Sequence, residues 1–372
     1  MDFDIEDFLR KAVAIGASDV HLAVGEHPTV RKDGRILKIN MPILSDDDVD
    51  RAYDGLLPRQ ARENIENVYD LDFAYEIPGL SRFRVNLSRQ LGKSKLVIRL
   101  IPYYVPKIGE LNLPPSIEQF AKLNHGLVLV TGQTGTGKST TMASLIDYIN
   151  TNYPKHVITI EDPVEFIFNN KKSIISQRQI LLDTVSFPDG VKYALRQDPD
   201  VIFIGEIRDR DTMTSAIKAA ETGHLVFSTI HTNDAVQTIS RIINMYEPSD
   251  RVMVRQQMAM LLRGTISQKL VPLKEGNGRR PACEVLVVTS AVRDLILRDE
   301  LNELYELVKR GSFNSMITMN MSLHNLFTNG FITEEVALEF SDNRTELIQM
   351  IKGAYSGTSE GDEEIVDEED AF

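Results

Sequence analysis

The sequence predicts an α/β protein built on a parallel sheet, and three observations carry the prediction. Apolar runs of four or five residues recur at Leu127–Thr131, His156–Ile160, Val201–Ile204 and Leu225–Thr229, with helical segments between them. That alternation builds parallel strands joined by right-handed crossovers. The first run feeds a glycine-rich loop and then an amphipathic helix, GLVLVTGQTGTGKSTTMASLIDYI over 126–149. The runs before residue 101 are short and alternate apolar with polar residues, which marks a separate, smaller α+β domain.

The elements follow in order. Residues 3–15 read as a helix, stopped by Gly16. Strands are expected at Asp19–Val24, Thr29–Arg31 and, after the Asp33-Gly34 turn, Ile36–Ile39. Ser45, with three aspartates behind it, caps a helix running to about Asn64. Strands at Asp72–Ile77, Arg82–Ser88 and Lys95–Ile101 complete residues 1–101. The proline-bearing stretch 102–114 reads as a linker, and the α/β domain takes 115–289. A helical region fills 290–355, with segments at Ala291–Leu297, Leu301–Lys309, Met321–Thr328, Glu334–Phe340 and Thr345–Lys352. No internal repeat is visible.

Composition excludes several classes. The one cysteine, Cys283, permits neither a disulfide framework within the chain nor a four-cysteine zinc site. The acidic start MDFDIEDFLRKA is unlike a secretory signal. No apolar run approaches the roughly 18 residues needed to span a bilayer, so a cytoplasmic protein without a transmembrane segment is expected. The net charge is −13, and eight of the acidic residues crowd into 356–372, a tail expected to be disordered and solvating. Without them the balance is −5, still acidic, which argues against a nucleic-acid partner.

The chemistry begins at the loop Gly132-Gln133-Thr134-Gly135-Thr136-Gly137-Lys138-Ser139, followed by Thr140. It fits G-x-x-x-x-G-K-[ST], the P-loop. Small residues let backbone N–H groups wrap a triphosphate, and the helix N-terminus adds partial positive charge. Lys138 reaches the β/γ-phosphates and the Ser139 hydroxyl sits on Mg²⁺. ATP and Mg²⁺ are therefore the expected ligands.

Hydrolysis needs more than binding. Val201-Ile-Phe-Ile-Gly-Glu206 is an apolar strand leading to a carboxylate, and ligands of parallel sheets bind beyond the carboxyl ends of strands. Glu206 can there take a proton from water or hold the Mg²⁺ shell. The plain alternative is a solvated Glu at a strand end. A second acidic cluster, Glu161-Asp162-Pro163-Val164-Glu165, follows the strand His156–Ile160 and can share the metal and water work, although Asp162-Pro163 is also a turn signal. His231 lies just past the strand Leu225–Thr229 and can hydrogen-bond the γ-phosphate or Glu206. His224 begins that strand and is the weaker candidate of the two, each having an ordinary structural role as its alternative.

The motifs GQTGTGKST, TIEDPVE, LRQDPDVIFIGEIRD and GHLVFSTIHT resemble the Walker A, Asp box, Walker B and His box of secretion ATPases, the motors of type II secretion and type IV pili. The resemblance extends over nearly the whole chain, including ASDVHL near the start. It is nearest to the type IV pilus retraction ATPases (the PilT/PilU family). It implies a RecA-like ATPase domain with a smaller PAS-like N-terminal domain, assembled as a homohexamer. It also implies ATP hydrolysis that powers pilus retraction and twitching motility by acting on an inner-membrane platform protein, at the cytoplasmic base of the pilus machine. A paralogous retraction ATPase is a further implied partner.

Arginines of the N-terminal domain complete the site in that family, and here they match Arg84 in RFRVN and Arg99 in VIRLIP. The local pattern is compatible, since Phe83, Val85 and Leu87 alternate inward and leave Arg82, Arg84 and Asn86 on the other face. The plain alternative is a surface arginine on an edge strand. Ala291-Val-Arg-Asp-Leu-Ile-Leu-Arg298 occupies the place of a helix associated with retraction but departs from its usual pattern at several positions. The competing readings are a pilus assembly or type II secretion ATPase, whose usual longer N-terminal region and four-cysteine module are missing here, and a RecA-like nucleic-acid motor. A third is a nucleotide-gated scaffold that hydrolyses little.

Overall fold

In the computed structural model of the protein, Asp4 opens α1 (Ile5–Ala14) by accepting the backbone N–H of Asp7, and Gly16 at φ 73° ends the turn that follows it. The structure describes residues 3–32, 34–57, 70–101, 104–276, 278–311 and 315–353. The chain groups into two compact units, Met1–Lys107 with Met142–Glu206, and Ile108–Thr141 with Ile207–Phe372.

In the first unit come β1 (Asp19–Ala23), β2 (Thr29–Lys32), β3 (Arg35–Lys38), α2 (Asp46–Leu56), β4 (Leu71–Ile77), β5 (Ser81–Gln90) and β6 (Lys93–Ile101). The strands form one antiparallel sheet in the order β3-β2-β1-β6-β5-β4. Strict alternation along β5 buries Phe83, Val85 and Leu87. Those side chains join Phe8, Leu9, Val49 and Leu56 in one core under α1 and α2. Ser45 and Asp48 form a reciprocal capping box at the start of α2, as the sequence leads one to expect. The helix nevertheless stops at Leu56, short of the expected Asn64. Leu57 is extended, at φ −70° and ψ 127°, because it precedes Pro58, whose ring disfavours helical backbone at the residue before it. Residues 58–69, Asp33 of the expected turn and the acidic stretch 356–372 lie outside the described residues. Within the expected linker, Ile108–Leu111 forms a short 3-10 turn.

The second sheet has seven strands in the order β13-β12-β7-β11-β10-β8-β9. They are β7 (Gly126–Thr131), β8 (His156–Glu161), β9 (Ile174–Gln179), β10 (Val201–Ile204), β11 (Leu225–Ile230), β12 (Leu262–Pro272) and β13 (Arg279–Val287). Helices α3 (Lys138–Asn152), α4 (Phe187–Ala194), α5 (Arg210–Glu221), α6 (Ala235–Asn244) and α7 (Arg251–Leu261) connect them. The pairs β7–β11, β7–β12, β8–β10 and β8–β9 are parallel, and β12–β13 is antiparallel. Every residue of β7, β10 and β11 is buried, the pattern of strands covered on both faces. Strands β9, β12 and β13 are additions to the four strands expected from the sequence.

Helices α8 (Ser290–Arg298), α9 (Leu304–Arg310), α10 (Met319–Thr328), α11 (Glu334–Phe340) and α12 (Arg344–Ile351) follow. The last three pack Met319, Leu323, Ala337 and Leu347 against Val271 of β12 and Ala282 of β13. No helix among the described residues is long and apolar enough to cross a membrane.

Candidate functional site

The glycine loop in the second unit is shaped by steric necessity. Gly132, Gly135 and Gly137 have φ of 144°, 80° and 90°, backbone that side chains rarely adopt. A Cβ on Gly132 would lie 2.5 Å from the carbonyl oxygen of Gln268 and 2.6 Å from Thr136 Oγ1. The hydroxyl of Thr136 donates to the Gln133 carbonyl at 2.9 Å. Lys138 is buried, and its Nζ donates to the Gly132 and Gln133 carbonyls at 2.9 Å each. The ammonium is thereby folded back over the loop it would share with a phosphate. Gln133, Thr134 and Gly135 are exposed, while Ser139 and Thr140 stand half-buried in the first turn of α3. That turn carries no acidic residue, leaving the positive end of the helix dipole uncompensated for an anion.

These features fit a nucleotide triphosphate. For a metal, no group of three or more His, Cys, Asp or Glu side chains among the described residues could hold an ion. The Ser139 hydroxyl suits Mg²⁺ delivered with phosphates, the mode in which Mg²⁺ is held by few protein oxygens.

The register of this unit sets what stands beside the loop. Ile230 of β11 and Ser267 of β12 are both level with Thr131 of β7, so His231 and Gln268 flank Gly132. The His231 carbonyl accepts from Arg241 Nη1 at 3.0 Å, and α6 behind it is capped by Asp234. His231, Asn233, Gln237 and Arg241 join Gln133 and Thr134 in lining a cleft of about 580 Å³. His224 is not brought to the loop. It sits at the opposite end of β11, with Nδ1 against the Ala219 carbonyl and Thr222 Oγ1 at 3.0 Å each. A strand of this length spans about 20 Å, so within one copy of the chain β11 separates His224 from the loop-side end that carries His231.

In the first unit, β8 and β10 end together, with Ile160 level with Ile204. Gly205 donates its N–H to the Ile160 carbonyl at 2.8 Å. A Cβ at Gly205 would come within 3.4 Å of the Glu161 backbone. Glu206 follows, half-buried, while Asp162 and Glu165 are exposed. Glu161 differs from them, being buried with Oε1 accepting from Thr159 Oγ1 at 2.6 Å and Gln177 Nε2 at 3.3 Å. Its Oε2 accepts the Glu165 N–H at 3.3 Å. Burial outweighs these donors and pushes its carboxyl up to about 7, into the range where a carboxylate can exchange protons near neutrality.

Arg84 and Arg99 stand directly opposite each other on β5 and β6. Arg99 Nε donates to Asp19 Oδ1 at 2.9 Å, and Arg84 Nε lies 3.8 Å from Asp72. Two like charges at one cross-strand position disfavour the pair, and Asp19 and Asp72 offset this from either side. The Arg99 guanidinium, with the hydroxyl of Ser18, holds the Asp19 carboxyl below its ordinary range despite partial burial, which acts the other way.

Sequence reasoning singled out neither Gln177, Gln268 nor Arg241 as site residues. Each acts through a partner far along the chain or through a carbonyl, and no local pattern marks such contacts.

Comparison with known proteins places this geometry. The family model described as type II/IV secretion system protein matches residues 4–325. The chain is 40% identical over 336 residues to the type IV pilus retractation ATPase PilT of Pseudomonas aeruginosa, covering 90% of this chain and 97% of the relative. It is 38% identical over 349 residues to the type IV pilus ATPase PilU of the same organism, covering 94% and 91%. Among solved structures, the pilus retraction motor PilT with bound ADP superposes with a TM-score of 0.87 at 42% identity, over 92% of this chain and 98% of that one. The resemblance read from four boxes in the sequence thus holds along the chain, which belongs to the type II/IV secretion system protein family.

Proposed function

We propose that the protein is an ATP-hydrolysing motor of type IV pilus retraction. The observation that carries the reading is the loop Gly132–Ser139. Gly132 leaves no room for a side chain, Gly135 and Gly137 have backbone that side chains rarely adopt, and the loop's lysine is already turned onto it, in a chain 40% identical to a pilus retraction ATPase.

The loop N–H groups and the α3 N-terminus bind the triphosphate, and Lys138 leaves its two carbonyls to neutralise the β/γ-phosphates. The Ser139 hydroxyl and Glu206 would hold Mg²⁺, which when bound would supply charge neutralisation on the phosphate oxygens. Glu206 orients the attacking water and takes its proton. Glu161, Asp162 and Glu165 form the supporting acidic edge, and Glu161 is the member able to hold a proton near neutral pH. His231 reads the γ-phosphate from the cleft beside the loop. Arg84 and Arg99 supply positive charge to the phosphates from the N-terminal sheet. Loss of the γ-phosphate removes those contacts and so shifts the preferred pose of the N-terminal domain.

The working form is a homohexamer at the cytoplasmic face of the inner membrane, acting on a platform protein and alongside a paralogous retraction ATPase. Two measurements test the reading. The purified protein releases phosphate from ATP, and cells lacking the gene carry excess surface pili without twitching. A bald cell would point to pilus assembly, and absence of phosphate release would remove the motor reading.

A further inference from the structure

Strand β12 lies beside β7, and its residue Gln268 approaches the nucleotide loop at two glycines and bonds the first turn of α3. Its backbone carbonyl fills the space where a side chain on Gly132 would go, 2.5 Å from that Cβ position. Its Nε2 lies 3.0 Å from the Cβ position of Gly137, the last glycine of the loop. Its Oε1 accepts the Thr141 hydroxyl at 2.8 Å. Both side chains are buried, Gln268 at 4% exposure and Thr141 at 0%. Thr141 in turn donates its N–H to the Gly137 carbonyl at 3.0 Å.

A buried carboxamide is costly unless hydrogen-bonded, and the apolar neighbours Leu270 and Val271 show that this strand could have carried an apolar residue there. The polar group is used at the junction of loop and helix, where the direction of α3's first N–H groups is set. Lys138 begins that helix, so the same contact sets where its stem leaves the backbone.

We infer that Gln268 is a positioning residue for the nucleotide loop. Through Thr141 and Gly137 it holds the first turn of α3 in the orientation that receives a triphosphate. The inference rests on the reading of this loop as the nucleotide site.

The test uses the full chain, a non-hydrolysable ATP analogue with Mg²⁺ as the binding probe, and melting of the nucleotide-free protein. Gln268→Met keeps the volume but orphans the Thr141 hydroxyl, so it lowers both stability and affinity. The double variant Gln268→Met/Thr141→Val removes both polar groups and returns the melting temperature toward wild type. Positioning predicts that affinity in the double variant stays about ten-fold weaker, the worth of one net hydrogen bond, with KM raised and kcat little changed. Thr141→Val alone severs the same bond from the helix side and gives a comparable loss of affinity, which keeps the test decisive if the double variant folds poorly. A purely structural role predicts that affinity recovers together with melting temperature, and that outcome overturns the inference. Lys138→Ala is the reference. If it binds the analogue like wild type, the nucleotide reading itself fails; if it does not bind while the double variant binds normally, only the role of Gln268 is lost.

Discussion

Thr159 Oγ1 donates a 2.6 Å hydrogen bond to Oε1 of Glu161 two residues further along β8. The bond favours the ionised carboxylate, against burial that pushes it up to about 7. Thr159→Val removes the donor, so the Glu161 pKa rises further. The acid limb of the kcat/KM profile against pH should lie at higher pH in the variant than in wild type. A limb that does not move would remove Glu161 from proton handling.

Glu284 is a second buried carboxylate, with Oε1 accepting the Ala235 N–H at 2.8 Å, and burial pushes it up to about 7 from an ordinary 4.5. Between those values the folded chain holds a proton the unfolded chain has lost, so this group's contribution to stability falls as pH rises through the window and is constant above it. Glu284→Gln keeps the accepting oxygen and abolishes the titration. The variant should gain stability over wild type at pH 8, by at most about 3 kcal/mol, and the gain should vanish near pH 4.5. Urea unfolding at the two pH values measures it.

Glu206→Gln keeps shape and removes the base. Turnover should fall about 10²–10⁴-fold while affinity for the ATP analogue stays within experimental error of wild type. Unchanged phosphate release would reassign the water to another group.

Lys138→Ala deletes the ammonium that bonds the Gly132 and Gln133 carbonyls. Analogue affinity should drop about 100-fold, the worth of one or two charge-assisted hydrogen bonds, as read by calorimetry.

Arg99→Ala should still fold but with a measurable loss of stability, because the arginine is 66% exposed while its partner Asp19 is only 9% exposed and keeps the Ser18 hydroxyl and a longer contact to Arg31. Turnover should nevertheless fall about 10³-fold or more if the guanidinium meets phosphate charge in the transition state. Equal turnover in the variant would return Arg99 to an ordinary partner of Asp19.

How much was legible in the sequence follows from which forces are local. Buried parallel strands are apolar runs, so β7, β8, β10 and β11 announce themselves, as do the loop glycines and the cap at Ser45. Strand β9, IISQRQ, is polar over its last four residues and sits at the sheet edge, so no periodicity marks it. Strand β12 hides because Ser267 and Gln268 are buried polar residues whose partners, Glu284 and Thr141, are remote in sequence. Gln268 and Thr141 lie 127 positions apart. The His-box pattern places two histidines near one strand, and the length of β11 carries them to opposite ends.

The shared packing of β12 and β13 with the last three helices has a practical consequence for dissecting the molecule. Lys269 anchors to the Phe340 carbonyl at 2.9 Å and to Asp342 at 2.7 Å, while Val271 and Ala282 are covered by Met319, Leu323 and Leu347. A fragment cut after residue 289 would bare that apolar surface and leave an ammonium without its acceptors, one residue from Gln268. Trimming at the boundary the sequence suggests would therefore yield a wounded catalytic core rather than a minimal one.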